Sequence, residues 1–518
     1  MQRRWKILLW TSAFIALVAV FGVGTHVRAK RAVQRYRNLL ATQGEKLAVG
    51  ELAPRRPTNG FNGAADLLTA CNMCSSGSYE YWPSARKYVV PGRARVAWQQ
   101  GVLGSSKITN IWPWLDRYFE TNRLALADVR AALENPVLYI NLDYSQGFNV
   151  SFGHVLVLRG ASQKLSAAVL SELHEGRPAA AWENLMALNA LARNYSGEPL
   201  MISQLVRAAI CQSAMAATWE ALQCDQWEDA KLAELQAAWQ SVRCLRGLES
   251  AMAMERALQE KAFATARNFY GTPIGAAVSA NNSGALSDLV DVGKELIEDP
   301  AEGWQSLLNR FPRYWAWKWW WSYEEELYNM QVWQAAIEAA RHATAGSSLA
   351  AAGRQLHLAI AEIDKRHPNM QRTFLLSSAN RGSTVERFFS KVMAIEAQRE
   401  MAVTVIALQR YHSHLGKYPD DLAKLVPDLL FKNPPDLMDG KPLRYRLNSD
   451  GTYLLYSVGE NGEDNSGDPT PAASSPGALG LTPLSNYWWA GRDAVWPLPA
   501  SAAEVAADEA KTSPRKGP

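Results

Sequence analysis

From Ile7 to Thr25 the chain reads ILLWTSAFIALVAVFGVGT, a run without a single charged position. At a rise of about 1.5 Å per residue, such a run spans roughly the hydrocarbon core of a bilayer. It predicts a transmembrane anchor over residues 1–30. A basic juxtamembrane helix follows from about Val33 to Leu52, and the prolines and glycines of APRRPTNGFNGA break it into a linker that ends near residue 60. Beyond that, Ala and Leu recur at three- and four-residue steps, most clearly over 161–223. The breaks HEGRP and NYSGEP carry Gly and Pro where one helix should stop and the next begin. Gly176 suits the position after a helix C-cap, and Pro178 suits a first helical turn. These features predict αα-hairpins of the tetratricopeptide kind, without a sustained 34-residue period, in an all-α body over 61–370.

Two stretches lack this spacing: 263–300 and 364–384 read as connections between helical units. Between them, 310–334 holds Trp315, Trp317, Trp319, Trp320, Trp321 and Trp333. The segment is aromatic on all sides over about two turns, which predicts burial among neighbouring helices. Exposed, the same cluster would stack on sugars or lie in a membrane interface. Glu324-Glu325-Glu326 reads as a solvated helix face.

After residue 384 the pattern changes. Residues 385–416 form one long amphipathic repeat ending at Gly416, and Asn448-Ser-Asp-Gly451 then separates two Tyr/Leu-rich alternating runs, a hairpin signal. The expected fold is therefore mainly α, closed by a small α+β region over 385–499 with a long helix on an antiparallel sheet. A disordered tail is expected over 500–518.

This last region resembles the globular part of the major pseudopilins of type II secretion systems. The shared pattern is a helix running into Ala407-Leu-Gln-Arg-Tyr411, then Gly416-Lys-Tyr418-Pro419, Leu422 and Leu425. It continues through Pro435-Asp436, Asp439-Gly440, Pro442, Tyr445, Gly451, Tyr453 and Tyr456-Ser457, with Gly459 after it. The layout over 390–468, with the closing stretch 491–499, is also similar to a group of uncharacterised membrane-anchored bacterial proteins. Two features depart from the pilin plan. The N-terminal run lacks a prepilin-peptidase site and its glutamate, and a helical body of some 300 residues separates anchor from module.

The resemblance implies a calcium site in the loop after the hairpin, SVGENGEDNSGD. Calcium takes six to eight oxygens from carboxylates and carbonyls. Glu460, Glu463, Asp464 and Asp468 supply charge and Asn461 a neutral oxygen, while Gly459-Glu460-Asn461-Gly462 lacks one carboxylate of the family's Gly-x-Asp-Gly. A solvated acidic turn is the plainer reading.

Charge sharpens the picture of the N-terminus. Residues 1–60 carry eleven Lys/Arg and two Glu, so against a whole-chain charge of +4 the other 458 residues sum to −5. A basic footprint for nucleic acid is thus missing from the body. Basic residues stand on both sides of the apolar run, and the short head before it suits a single-pass anchor in a bacterial inner membrane with the large domain in the periplasm. No small-x-small cleavage site follows, which favours an uncleaved anchor over a signal peptide.

Chemistry is sparse. Cys71-Asn-Met-Cys74 has redox spacing but reads as loop, and it lacks the second pair that zinc would need. His412 and His414 read as surface histidines. No metalloprotease, phosphate-binding, dinucleotide or nucleophile-elbow motif is present. The expectation is a non-enzymatic envelope protein whose partners are the bilayer, through residues 7–25, and envelope or secretion-system proteins. The alternative is an exported enzyme or glycan-binding protein with a Trp-rich helical cleft.

Overall fold

A computed structural model describes residues 2–57, 62–74, 88–90, 92–99, 111–195, 197–268, 317–346, 348–368, 381–470, 489 and 492–512. The first element, α1 (Gln2–Thr42), is one unbroken helix of 41 residues that carries the uncharged run directly into the basic stretch. Among the described residues no helix is long and apolar enough to cross a membrane. The side chains of 1–9, 11–19 and 21, and so most of the expected span, lie outside the described residues. The separate juxtamembrane helix is instead the end of α1. Gly44, at φ 82°, turns the chain into the single turn α2 (Val49–Leu52).

The helical body comprises α3 (Ala64–Met73), α4 (Trp112–Thr121), α5 (Arg123–Leu133), α6 (Gly153–His174), α7 (Pro178–Asn194), α8 (Met201–Ala221), α9 (Asp229–Ser241) and α10 (Leu248–Asn268). Its clearest hairpin, α6–α7, forms where the sequence punctuates it. Gly176 sits at φ 70°, its N–H donates to the Leu173 carbonyl at 3.2 Å, and the Arg177 N–H donates to that of Glu172 at 2.8 Å. This left-handed cap satisfies the last carbonyls of α6, and Pro178 opens α7 where no N–H donor is required.

A π-helical turn, Trp317–Trp321, leads into α11 (Ser322–Thr344), followed by α12 (Leu349–Arg366) and α13 (Arg381–Leu415). Both expected connections are shorter than the sequence suggests. Residues 263–268 belong to α10, 364–366 to α12 and 381–384 to α13. The remainder, at 269–316 and 369–380 and including Trp315, lies outside the described residues.

The C-terminal hairpin is as expected. β3 (Arg444–Leu447) pairs antiparallel with β4 (Tyr453–Ser457), from Arg444 opposite Tyr456 to Leu447 opposite Tyr453. Gly451, at φ 82°, closes the turn. The closing stretch divides its pairing. β5 (Ala494–Val495) extends this sheet antiparallel to β4. β6 (Leu498–Pro499) runs parallel to β2 (Arg93–Ala94), which pairs with β1 (Tyr88–Val90) far back in the body. The indole N–H of Trp219 in α8 donates to the Pro497 carbonyl at 2.8 Å, fastening the strap between the two sheets.

The tail is corrected as well: α14 (Ala502–Thr512) occupies part of it, and 513–518 lie outside the described residues. Ser501 and Glu504 make a capping box. The Glu504 N–H donates to Ser501 Oγ at 3.3 Å, and the Ser501 N–H donates to the Glu504 carboxylate at 2.8 Å.

One cluster of buried side chains runs from Leu67 to Trp496. Helix α13 is its spine: Phe389, Met401, Ile406 and Leu408 are buried where it packs on α8, α9, α12 and β4. The α+β region thus shares its hydrophobic core with the helical body.

Candidate functional site

The acidic loop follows β4 and is closed by protein donors. Arg444, from β3, reaches Asp464 at 3.2 Å, Asp439 at 2.6 Å and Asp436 at 3.0 Å. Arg492 reaches Asp468 at 3.3 Å, and the Thr470 hydroxyl donates to the same residue at 2.6 Å. Glu460 turns away to accept from the Ser390 hydroxyl of α13 at 2.7 Å, while Asn461 and Glu463 face solvent. The loop's centre is filled by a residue the sequence reading passed over. The fully buried Asp493 accepts the N–H groups of Asn465 at 3.0 Å, Gly467 at 2.7 Å and Asp468 at 3.3 Å.

Calcium asks for a different arrangement. A cation site needs oxygens turned inward, whereas this loop turns N–H donors inward around an anion. Among the described residues, no three His, Cys, Asp or Glu side chains gather to hold a metal. As placed, Glu460, Asn461, Glu463, Asp464 and Asp468 do not form a calcium cage.

The carboxylates' acidities reflect their separate surroundings. Burial pushes Glu460 up against the Ser390 and Trp489 bonds. For Asp464, burial is outweighed by the Ser466 N–H, the Tyr456 hydroxyl and Arg444, which hold it below the usual carboxylate range. Asp468 is lowered, first by the Thr470 hydroxyl and N–H.

A second constellation lies where α1 meets α10 and α11. The Glu324–326 run is not a solvated face: Glu325 and Glu326 are fully buried. Glu325 accepts the Trp317 indole N–H at 2.6 Å. Glu326 is shared between Arg37 of α1, at 2.8 Å, and Arg267 of α10, whose guanidinium also stacks 4.0 Å over Tyr323. Arg37 additionally reaches Glu260 of α10 at 2.9 Å. One turn beyond α1, Glu45 gathers Arg341, Arg256 and Gln334. Apolar packing of Val33 and Leu40 on Met330 completes the joint. Charges so placed are costly to uncover singly, so the arrangement fixes how α1 meets the body.

The tryptophan cluster divides. Trp317 and Trp333 are buried as expected, but Trp319, Trp320 and Trp321 are exposed to 49%, 39% and 42%. They stand beside α1. The Trp320 ring lies against Gly22, where an added Cβ would meet Cδ1 at 2.9 Å, and His26 Nδ1 lies 2.8 Å from the Trp319 carbonyl.

The other candidates are engaged in local contacts. Cys71 lies in the last turn of α3 and Cys74 caps it, correcting the loop assignment; both are buried. Burial pushes the Cys71 thiol up to about 12, the reverse of what a redox nucleophile needs. His414 lies 3.2 Å from Asp229, and His412 stacks on Tyr418 at 4.5 Å. At the NYSGEP break the Ser203 hydroxyl, Tyr195 hydroxyl and His154 Nε2 all converge on Glu198, so the serine bonds the carboxylate and not the imidazole. That cluster braces the α7–α8 connection. No family model, curated protein or solved structure matches the chain.

Proposed function

We propose that the chain is a single-pass protein of a bacterial inner membrane. Residues 7–25 anchor it, its body faces the periplasm, and it acts as a structural and interaction scaffold without catalysis. The observation that carries this reading is the continuity of α1. Its first half holds the uncharged run, and its second half is locked into the body through Arg37, Glu260 and Glu326. An anchor joined in this way holds the body at a fixed attitude to the bilayer instead of on a flexible tether.

A pseudopilin-like C-terminal region is supported by a long helix α13 followed by the β3–β4 hairpin and β5. In this reading the module serves as a docking cap and not as a filament subunit, since the chain lacks a prepilin-peptidase site. The interaction role is tested by purifying the intact protein from gently solubilised membranes and identifying what accompanies it. Stoichiometric recovery of secretion-apparatus or other envelope components is expected. A protein that emerges alone under every solubilisation condition would contradict the scaffold role.

A further inference from the structure

We infer that Trp319, Trp320 and Trp321, together with Arg28, Arg31 and Arg35 of α1, form a seat for the headgroup layer of an anionic bilayer. The inference rests on the membrane-anchored reading above and adds a second, independent contact with the lipid. Three consecutive half-exposed indoles are unusual on a protein surface, because large exposed apolar patches mark a partner. Their position names that partner. Trp320 lies against Gly22 and Trp319 against His26, the level at which the uncharged run of α1 ends, and Trp321 stands edge-on to Trp320. Indoles concentrate where hydrocarbon gives way to headgroups, since the ring is apolar and its N–H wants water or phosphate.

Charge points the same way. Immediately beyond this level Arg28, Arg31 and Arg35 are exposed and have no acidic partner among the described residues. They border an open groove of about 750 Å³ that begins at Val23 and Val27. Apolar positions followed at once by unpaired guanidinium groups match acyl chain followed by phosphate, and guanidinium binds phosphate in a bidentate manner. The π-helical turn has a role in this arrangement: it buries Trp317 onto Glu325 while directing the next three indoles outward along α1.

The test uses the full chain reconstituted into vesicles of brominated phosphatidylcholine, with and without phosphatidylglycerol. Bromine quenches indoles that sit at the acyl boundary. The triple variant W319S/W320S/W321S should lose roughly half of the lipid-quenchable emission, leaving that of the N-terminal tryptophans near the span. Separately, R28Q/R31Q/R35Q changes only exposed side chains with no acidic partner among the described residues. It should abolish the extra quenching that phosphatidylglycerol produces in the wild type. Wild-type quenching in the tryptophan variant, or an unchanged lipid dependence in the arginine variant, would overturn the inference while leaving the anchor intact. Release of the wild-type protein from the vesicles by alkaline carbonate would defeat the anchored reading and this inference together.

Discussion

Arg37 Nε of the N-terminal helix lies 2.9 Å from Glu260 Oε2 of α10, and the other arm of the same guanidinium lies 2.8 Å from Glu326 of α11. One cation thus ties the helix bearing the apolar run to two helices of the body. Burial raises Glu260 to about 7, opposed by Arg37 and Arg256 and reinforced by Glu326.

The pH dependence of this joint follows from that shift. A carboxyl whose folded pKa exceeds its unfolded value binds more protons when folded, so stability declines as pH rises between the two values. From an unfolded value near 4.5 to a folded value of about 7, Glu260 should withdraw up to about 3 kcal/mol, at roughly 1.4 kcal/mol per unit. Urea midpoints measured from pH 4.5 to 8 should fall through this window. Glu260→Gln should flatten the decline; an unchanged slope in that variant would remove Glu260 as its origin.

The acidic loop separates two kinds of carboxylate. Asp493→Ala would strand the N–H groups of Asn465, Gly467 and Asp468, a loss of about 3 kcal/mol. Asp464→Ala removes an exposed carboxylate from Arg444, which keeps Asp436 and Asp439, and should cost about 1 kcal/mol. Chemical denaturation of both variants checks the ranking. Calorimetric titration with calcium to millimolar concentration should give no binding heat. A calcium signal abolished by Asp464→Ala would reverse this reading of the loop.

Cys244 Sγ donates to Cys211 Sγ at 3.7 Å within the core, and its own N–H is held by Glu396 at 2.6 Å. The bond from Cys244, with Arg207 nearby, lowers the Cys211 thiol, while the same bond and burial raise Cys244. A disulfide would bring the two sulfurs to about 2.05 Å. If the body is periplasmic, as proposed above, a protein disulfide donor should take two protons and two electrons from this pair as its own disulfide is reduced. Denatured without reductant, the purified protein should show two fewer alkylatable thiols than after reduction, and Cys211→Ser should erase the difference. Equal counts in the wild type would speak against an oxidising location.

What the sequence reveals is what local physics determines. The α6–α7 break depends on Gly176 and Pro178, the β3–β4 hairpin on Asn448–Gly451, and the end of α13 on Gly416; each is decided within a few residues. Local rules also carried the signal for α14, in the Ser501–Glu504 capping box, yet the alanine- and charge-rich tail reads as disordered without it. Burial of Glu325 and Glu326 was not legible, because their partners Trp317, Arg37 and Arg267 come from three separate segments. The internal pairing of the acidic loop was hidden for the same reason. Its neutralising Arg444 and Arg492 flank it in space, and its organising anion, Asp493, arrives from the closing strand.

Alkaline carbonate extraction of membranes from cells making the intact chain asks whether α1 anchors the body to which it is rigidly joined. The wild-type protein should stay with the pellet and be released only by detergent. Ala16→Lys with Val20→Lys, which places two charges in the uncharged run, should move the protein to the soluble fraction. Recovery of the wild-type protein in the carbonate supernatant would contradict the account.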